Sequence, residues 1–147
     1  AKRENEVEIH DLNHLPRISW IEWMNVLSTF KYAVHLMPTI AAGTFSLNCA
    51  YFGIPCIGNK KVDTQRICHP DLSVDIDDVE KARSLAKRLK EDKQFYLMCS
   101  EMSKTMYKEI YTLDKYKEKL NKNIMNISLI IPSYNTEKTL KLILTIQ

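Results

Sequence analysis

Apolar and polar positions change period several times along this chain, and each change marks an element. Ala33–Met37 is a continuous apolar run bounded by Pro38, the length of a buried strand and too short for a helix. After Gly43 the period becomes helical, with Phe45, Cys49 and Phe52 on one face, Thr44 available as a cap and Gly53 as the stop. Ile54–Ile57 resumes a strand-like run that closes on Gly58 and Asn59, so Tyr32–Asn59 predicts a short βαβ unit with parallel strands. Upstream, Glu6–His10 alternates weakly as a strand, and Ser19 with Glu22 forms a capping box ahead of a helix whose Trp20, Trp23, Met24 and Leu27 share a face. Core packing is favoured over a sugar platform for the two tryptophans.

Downstream, Lys60–Asp71 has no period and predicts a loop, and Leu72–Val74 predicts a short edge strand. Asp77 and Glu80 predict a capping box for a helix with Val79, Ala82, Leu85 and Leu89 inward. A longer helix from Lys93 places Phe95, Met98, Met102, Met106 and Ile110 at helical spacing, as core or interdomain packing. Thr112 can cap a last segment with Leu113, Tyr116 and Leu120. The polar stretch Lys117–Asn126 predicts a linker, after which Ile127–Ile131 restarts a β-run and Leu140, Ile143 and Leu144 share a helical face. The expected organisation is one α/β domain over 1–120 with a Rossmann-like parallel sheet and a helical C-terminal part, a linker over 121–126, and a βα tail over 127–147.

Composition narrows the function classes. With 45% hydrophobic residues in 147, the chain can bury a core. A net charge of +3 with interspersed signs gives no basic face for nucleic acid, though mild attraction to an anionic membrane stays open. No apolar run reaches the ~20 residues of a membrane span. Cys49, Cys56, Cys68 and Cys99 lack zinc or CxxC spacing and fit reduced thiols in the cytoplasm; Cys49 and Cys56 fit small core residues, and Cys68-His69 is a poor nucleophile–base pair. His10 and His14 have helical metal-pair spacing but no third ligand.

The chemistry concentrates after the first strand of the βαβ unit. A helix opening there on a glycine offers backbone N–H groups and a positive dipole end to a phosphate, at the sheet end where open α/β folds bind ligands. The order Pro38, Gly43, then Cys49-Ala50-Tyr51-Phe52-Gly53-Ile54-Pro55 resembles the donor-binding core of the C-terminal domain of GT-B glycosyltransferases, in particular the retaining family four. The resemblance implies a diphosphate site at Gly43, Thr44, Phe45 and Ser46, with a nucleotide contact at Asn48. The family's usual two glutamates fall here on Ile40 and Asn48, so both carboxylates are absent. Lys60, Lys61 and Arg66 are candidate phosphate or acceptor contacts, with solvated loop charges as the alternative. The tail resembles the opening of a GT-A, family-two glycosyltransferase, which implies nucleotide contacts at Pro132, Tyr134 and Asn135; a lone βα unit finishing the first sheet is the alternative.

Together these imply part of a longer glycosyltransferase chain acting at the cytoplasmic side, possible peripheral membrane association of the parent included. Its donor would be a nucleotide diphosphate sugar, and its acceptor a saccharide or a lipid-linked one. It would need a GT-B N-terminal domain that is missing here, so the fragment itself is expected to be inactive. The first domain needs no cofactor, and a divalent metal would belong only to a continuation of the second, since residues 127–147 hold no Asp-x-Asp motif. The competing expectations are a degenerate, non-catalytic interaction domain and a sugar-nucleotide epimerase of the same fold.

Overall fold

A computed structural model describes residues 15–40 and 43–124, the last two of these by backbone alone. The expected strand at Glu6–His10, the His10/His14 pair and everything predicted for 127–147, including Pro132, Tyr134 and Asn135, lie outside the described residues. The chain divides into two units at Thr112 and Leu113.

In the first unit the elements are α1 (Trp20–Leu27), β1 (Ala33–His35), α2 (Thr44–Phe52), β2 (Cys56–Asn59), α3 (Asp63–Cys68), a 3-10 turn (Pro70–Leu72), β3 (Ser73–Val74), α4 (Val79–Glu91) and α5 (Lys93–Ile110). They form an α/β fold with a small open sheet of order β1-β2-β3, parallel throughout. Ala33 pairs with Cys56 and His35 with Gly58, as the βαβ crossover requires.

Central β2 is buried along its whole length, and its alternating side chains serve two cores. Cys56 joins Leu27, Cys49 and Ile54 on the side of α1 and α2, where Trp23, Ala33, Phe45 and Phe52 pack against them. Ile57 joins Leu72, Val74, Ala82, Leu89, Phe95 and Cys99 on the side of α4 and α5. The sheet is therefore sandwiched between helices.

Both strands of the crossover differ from the expected limits for identifiable reasons. Gly53 ends α2 in the left-handed region at φ 70°. Its N–H donates to Ala50 O (3.0 Å) and that of Ile54 to Cys49 O (2.8 Å), the paired bonds of a Schellman ending. Ile54 is thus committed to the helix end and Pro55 has no N–H to give, so β2 starts at Cys56 rather than Ile54 and continues through Gly58 and Asn59. β1 stops at His35, short of Met37, because beyond it the Asn59 side chain replaces the ladder: Asn59 Nδ2 donates to Met37 O at 3.1 Å.

The helices repeat this mixture. Ser19 and Glu22 make the reciprocal capping box of α1, Ser19 N–H to Glu22 Oε2 at 2.8 Å and Glu22 N–H to Ser19 Oγ at 3.3 Å. Trp20 is not in the core, being 59% exposed, while Trp23 is half-buried. Lys60–Asp71 is not a loop: α3 and the 3-10 turn occupy most of it. The cap of α4 is Asp78, not Asp77, its carboxylate accepting from Lys81 N–H at 3.0 Å. On α5 the buried face is Phe95, Cys99 and Ser103, one position round from the methionine stripe, so Met98 and Met102 face outward. In the second unit α6 runs Leu113–Ile124, which makes a helix of most of the stretch expected to be a linker; Glu118 meets Lys115 at 2.9 Å and Lys122 at 3.6 Å along it.

Candidate functional site

Where β1 gives way to α2, the chain must reverse within a few residues, and Gly43 makes the entry to the helix at φ 69°. Few side-chain-bearing residues adopt that conformation. A Cβ here would overlap Thr64 Oγ1 and approach Val62 Cγ1 to 2.7 Å. The glycine is required because α3 and the residue before it lie against it.

Two buried hydroxyls fix this entry. Gly43 O accepts from Leu47 N–H (3.2 Å), and Thr64 Oγ1 (2.9 Å) and Ser46 Oγ (3.0 Å) both reach it while lying 2.8 Å from each other. Each hydroxyl carries one proton, so these two side chains make two of the three contacts as hydrogen bonds at any moment. His69 completes the assembly. It is 2% exposed; its Nε2 lies 3.0 Å from Ser46 O and its Nδ1 accepts from Cys56 N–H at 3.4 Å. A carbonyl can only accept, so the ring is the neutral Nε2–H tautomer. Burial pushes its pKa down to about 4, against the opposing effect of the Ser46 carbonyl.

Gln65 ties α3 to the sheet, Nε2 donating to Cys56 O (2.7 Å) and Leu72 O (3.4 Å). Its Oε1 has no partner among the described residues and occupies the space that a Cβ on Gly58 would need.

In front of the helix entry lies a cleft of about 370 Å³ lined by His35, Met37, Thr39, Gly43, Thr44, Phe45 and Val62. Its volume is at the lower end of the range for small-ligand sites. Behind the wall Asn59 ties Met37 to the chain leaving β2, donating to Met37 O and accepting from Lys61 N–H at 3.0 Å. Among the described residues His35 is the one titratable side chain on the wall; burial lowers its pKa, and its ring lies 4.9 Å from that of Phe45. Phe45 in turn meets Trp23 at 6.1 Å between centroids.

Of the residues singled out in the sequence, Gly43, Thr44 and Phe45 line this cleft. Ser46 is buried and its hydroxyl is spent on the helix entry. Asn48 is half-buried one turn further along and Ile40 is exposed; neither lines the cleft. Lys60 is paired with Asp75 (2.7 Å) and Arg66 with Asp63 (2.9 Å), both at the surface, while Lys61 is exposed. None of the three cations forms part of the cleft wall.

Cys68 and His69 do not form a reactive pair: burial raises the Cys68 thiol to about 11, and the imidazole is engaged with backbone at both nitrogens. The Cys56 thiol is also raised, by its hydrogen bond with Cys49 and by burial. Asp75-Ile76-Asp77 spells Asp-x-Asp, yet Asp75 is occupied by Lys60, and among the described residues no three His, Cys, Asp or Glu side chains converge as around a metal ion. No described helix is long and apolar enough to cross a membrane.

The reading of the sequence missed His69, Thr64 and Gln65 as the groups that fix the cleft's back wall. The signal was slight: polar residues at i, i+1 and i+5, spanning a short helix and its C-terminal cap, where an apolar period would mark a buried face. Comparison of the chain with known protein families, with curated proteins and with solved structures found no match.

Proposed function

We propose that the chain carries the donor-diphosphate end of a GT-B-like glycosyltransferase. The observation behind this reading is the cleft at the carboxyl end of β1, set against the first turn of α2, whose entry at Gly43 is held from behind by Thr64, Ser46 and His69. A first turn has N–H groups with no helical partner and a positive dipole end, and a departing diphosphate is the charge such a site stabilises. Thr39, Thr44 and the neutral His35 supply polar groups around it, and Phe45 and Met37 an apolar wall. The resemblance of the segment from Pro38 to Pro55 to the family-four donor core gives the anion its identity as a nucleotide diphosphate. In this reading the acceptor, a saccharide or glycolipid, is held by a partner domain of the parent chain.

One observation favours the non-catalytic alternative: Lys60 and Arg66, the cations best placed in sequence to help a leaving phosphate, are each paired with a carboxylate. Exposed pairs of this kind contribute only ~0–1 kcal/mol, so a diphosphate can displace either carboxylate at little cost.

Calorimetric titration with uridine and guanosine diphosphates tests the reading, with Thr44→Glu as the variant. Thr44 is exposed at the first helical position, where a carboxylate favours the helix but opposes a bound anion. A diphosphate of two charges ~7 Å away feels about 1 kcal/mol of repulsion even in a water-like dielectric, more in the cleft. Diphosphate affinity should fall about tenfold or more while the melting temperature holds or rises. Equal affinity in the two proteins would remove the donor-site assignment.

A further inference from the structure

A second cleft, of about 470 Å³, opens between the entry to β1 and the junction of α4 and α5, lined by Lys31, Tyr32, Leu89, Lys90, Lys93 and Tyr96. Tyr32 immediately precedes β1, so this cleft is at the amino end of that strand, and the one at α2 is at its carboxyl end. Nothing in the donor reading uses it.

Three lysines, Lys31, Lys90 and Lys93, border this one cleft, and none is paired with a carboxylate among the described residues. The nearest acids in sequence are Glu91 and Asp92, which lie between Lys90 and Lys93. The Asp92 carboxylate is turned to other partners, capping α5 at Phe95 N–H (2.9 Å) and meeting Arg88 Nε (3.5 Å), and the exposed Glu91 pairs with none of the three lysines among the described residues. Like charges gathered without a counter-charge repel one another, and an anion that bridges them reverses the sign of that interaction. The two tyrosines add phenolic donors and ring surface, and Leu89, buried beneath, gives an apolar floor. Lysines act on an anion as mobile point charges, which suits a phosphate with charge spread over several oxygens.

We infer that this cleft binds a phosphate group, through Lys31, Lys90 and Lys93 with the hydroxyls of Tyr32 and Tyr96. The phosphate can belong to a small soluble molecule or to the headgroup of an anionic lipid, and the chemistry of capture is the same.

The test uses the full chain in low salt, with inorganic pyrophosphate as the soluble probe and vesicles of phosphatidylcholine with and without phosphatidylglycerol as the lipid probe. A triple variant, Lys31→Gln with Lys90→Gln and Lys93→Gln, is compared with a control that loses the same net charge elsewhere, Lys81→Gln with Lys87→Gln and Lys108→Gln, all exposed positions outside the cleft. The cleft variant should lose at least tenfold in affinity for one or both probes, and the control should change less than threefold. Binding of pyrophosphate assigns a soluble ligand; binding only of phosphatidylglycerol vesicles assigns a membrane headgroup; either supports the inference. No binding of either probe, or equal losses in the two variants, overturns it, because the charge would then act only through its total.

Discussion

Placing a methyl group on Gly43 tests the construction of the α2 entry directly. In Gly43→Ala the backbone must hold an L-residue at φ 69°, which costs roughly 1–2 kcal/mol. The new Cβ overlaps Thr64 Oγ1, so that hydroxyl must leave its place near Gly43 O and Ser46 Oγ, at about 0.5–1.5 kcal/mol for a lost hydrogen bond. Val62 Cγ1, 2.7 Å from the Cβ, must also give way, an overpacking cost of roughly 1–3 kcal/mol. The sum is about 2.5–6.5 kcal/mol, a large part of the ~5–15 kcal/mol available to a domain. Thr64→Ala on its own loses the hydroxyl and a buried methyl, but Gly43 O keeps Leu47 N–H and Ser46 Oγ as donors, so its cost should stay near 1–2 kcal/mol. Urea denaturation of the wild type, both single variants and the double variant closes the cycle. The double variant should be less destabilised than the sum of the singles by about 0.5–1.5 kcal/mol, since the overlap with Oγ1 is then gone while the strain at φ 69° and the Val62 overlap remain. Additive losses, or a Gly43→Ala cost below ~1 kcal/mol, would show that α3 does not brace this turn.

Two further outcomes are expected. Gly53→Ala repeats the positive φ, at 70°, but meets the Lys104 side chain, which can swing into solvent; denaturant unfolding should show it to cost less than Gly43→Ala, about 1–2 kcal/mol, and an equal or larger loss would contradict the distinction between a flexible and a braced neighbour. For His69 the folded pKa, about 4, lies below the ordinary 6.5, so the unfolded chain binds more protons and the neutral ring's contribution is complete above pH ~6.5 and lost as pH falls to ~4. That interval corresponds to about 3 kcal/mol. Urea titrations across pH 4–7 should lose about that much stability more in the wild type than in His69→Leu, and parallel profiles would contradict the burial of a neutral ring.

The sequence reading succeeded where geometry leaves a strong mark on local residue type, though it set two caps one residue off, at Thr44 for Gly43 and at Asp77 for Asp78. Gly43 and Gly53 bracket α2 because both ends need a left-handed residue, and Ser19 and Glu22 announce α1 because their side chains answer each other's backbone. It failed where a partner distant in sequence decides the outcome. The start of β2 moves to Cys56 because Ile54 is held by the end of α2, and the burial of α5 falls on Cys99 and Ser103 rather than the methionines because that side of α5 is docked on distant elements, among them the end of α2, where Ser100 Oγ donates to Gly53 O at 2.6 Å. No period within α5 contains that information.

The candidate site divides along the same line. Its front was legible, because a helix entry at a glycine after an apolar run is a local pattern. Its back was not, because Thr64, Gln65 and His69 are polar residues with no apolar rhythm, and only the folded chain shows that each is hydrogen-bonded to a backbone group on another element. This arrangement bears on the proposed donor site. His69 spans from Cys56 N–H of the central strand to Ser46 O in the first turn of α2, so the orientation of that turn is referred to the sheet and not only to its own loop. A first turn held in that way presents its N–H groups in a fixed direction before any ligand arrives, and a donor array that needs no reorganisation is the form in which backbone dipoles stabilise a diphosphate most strongly.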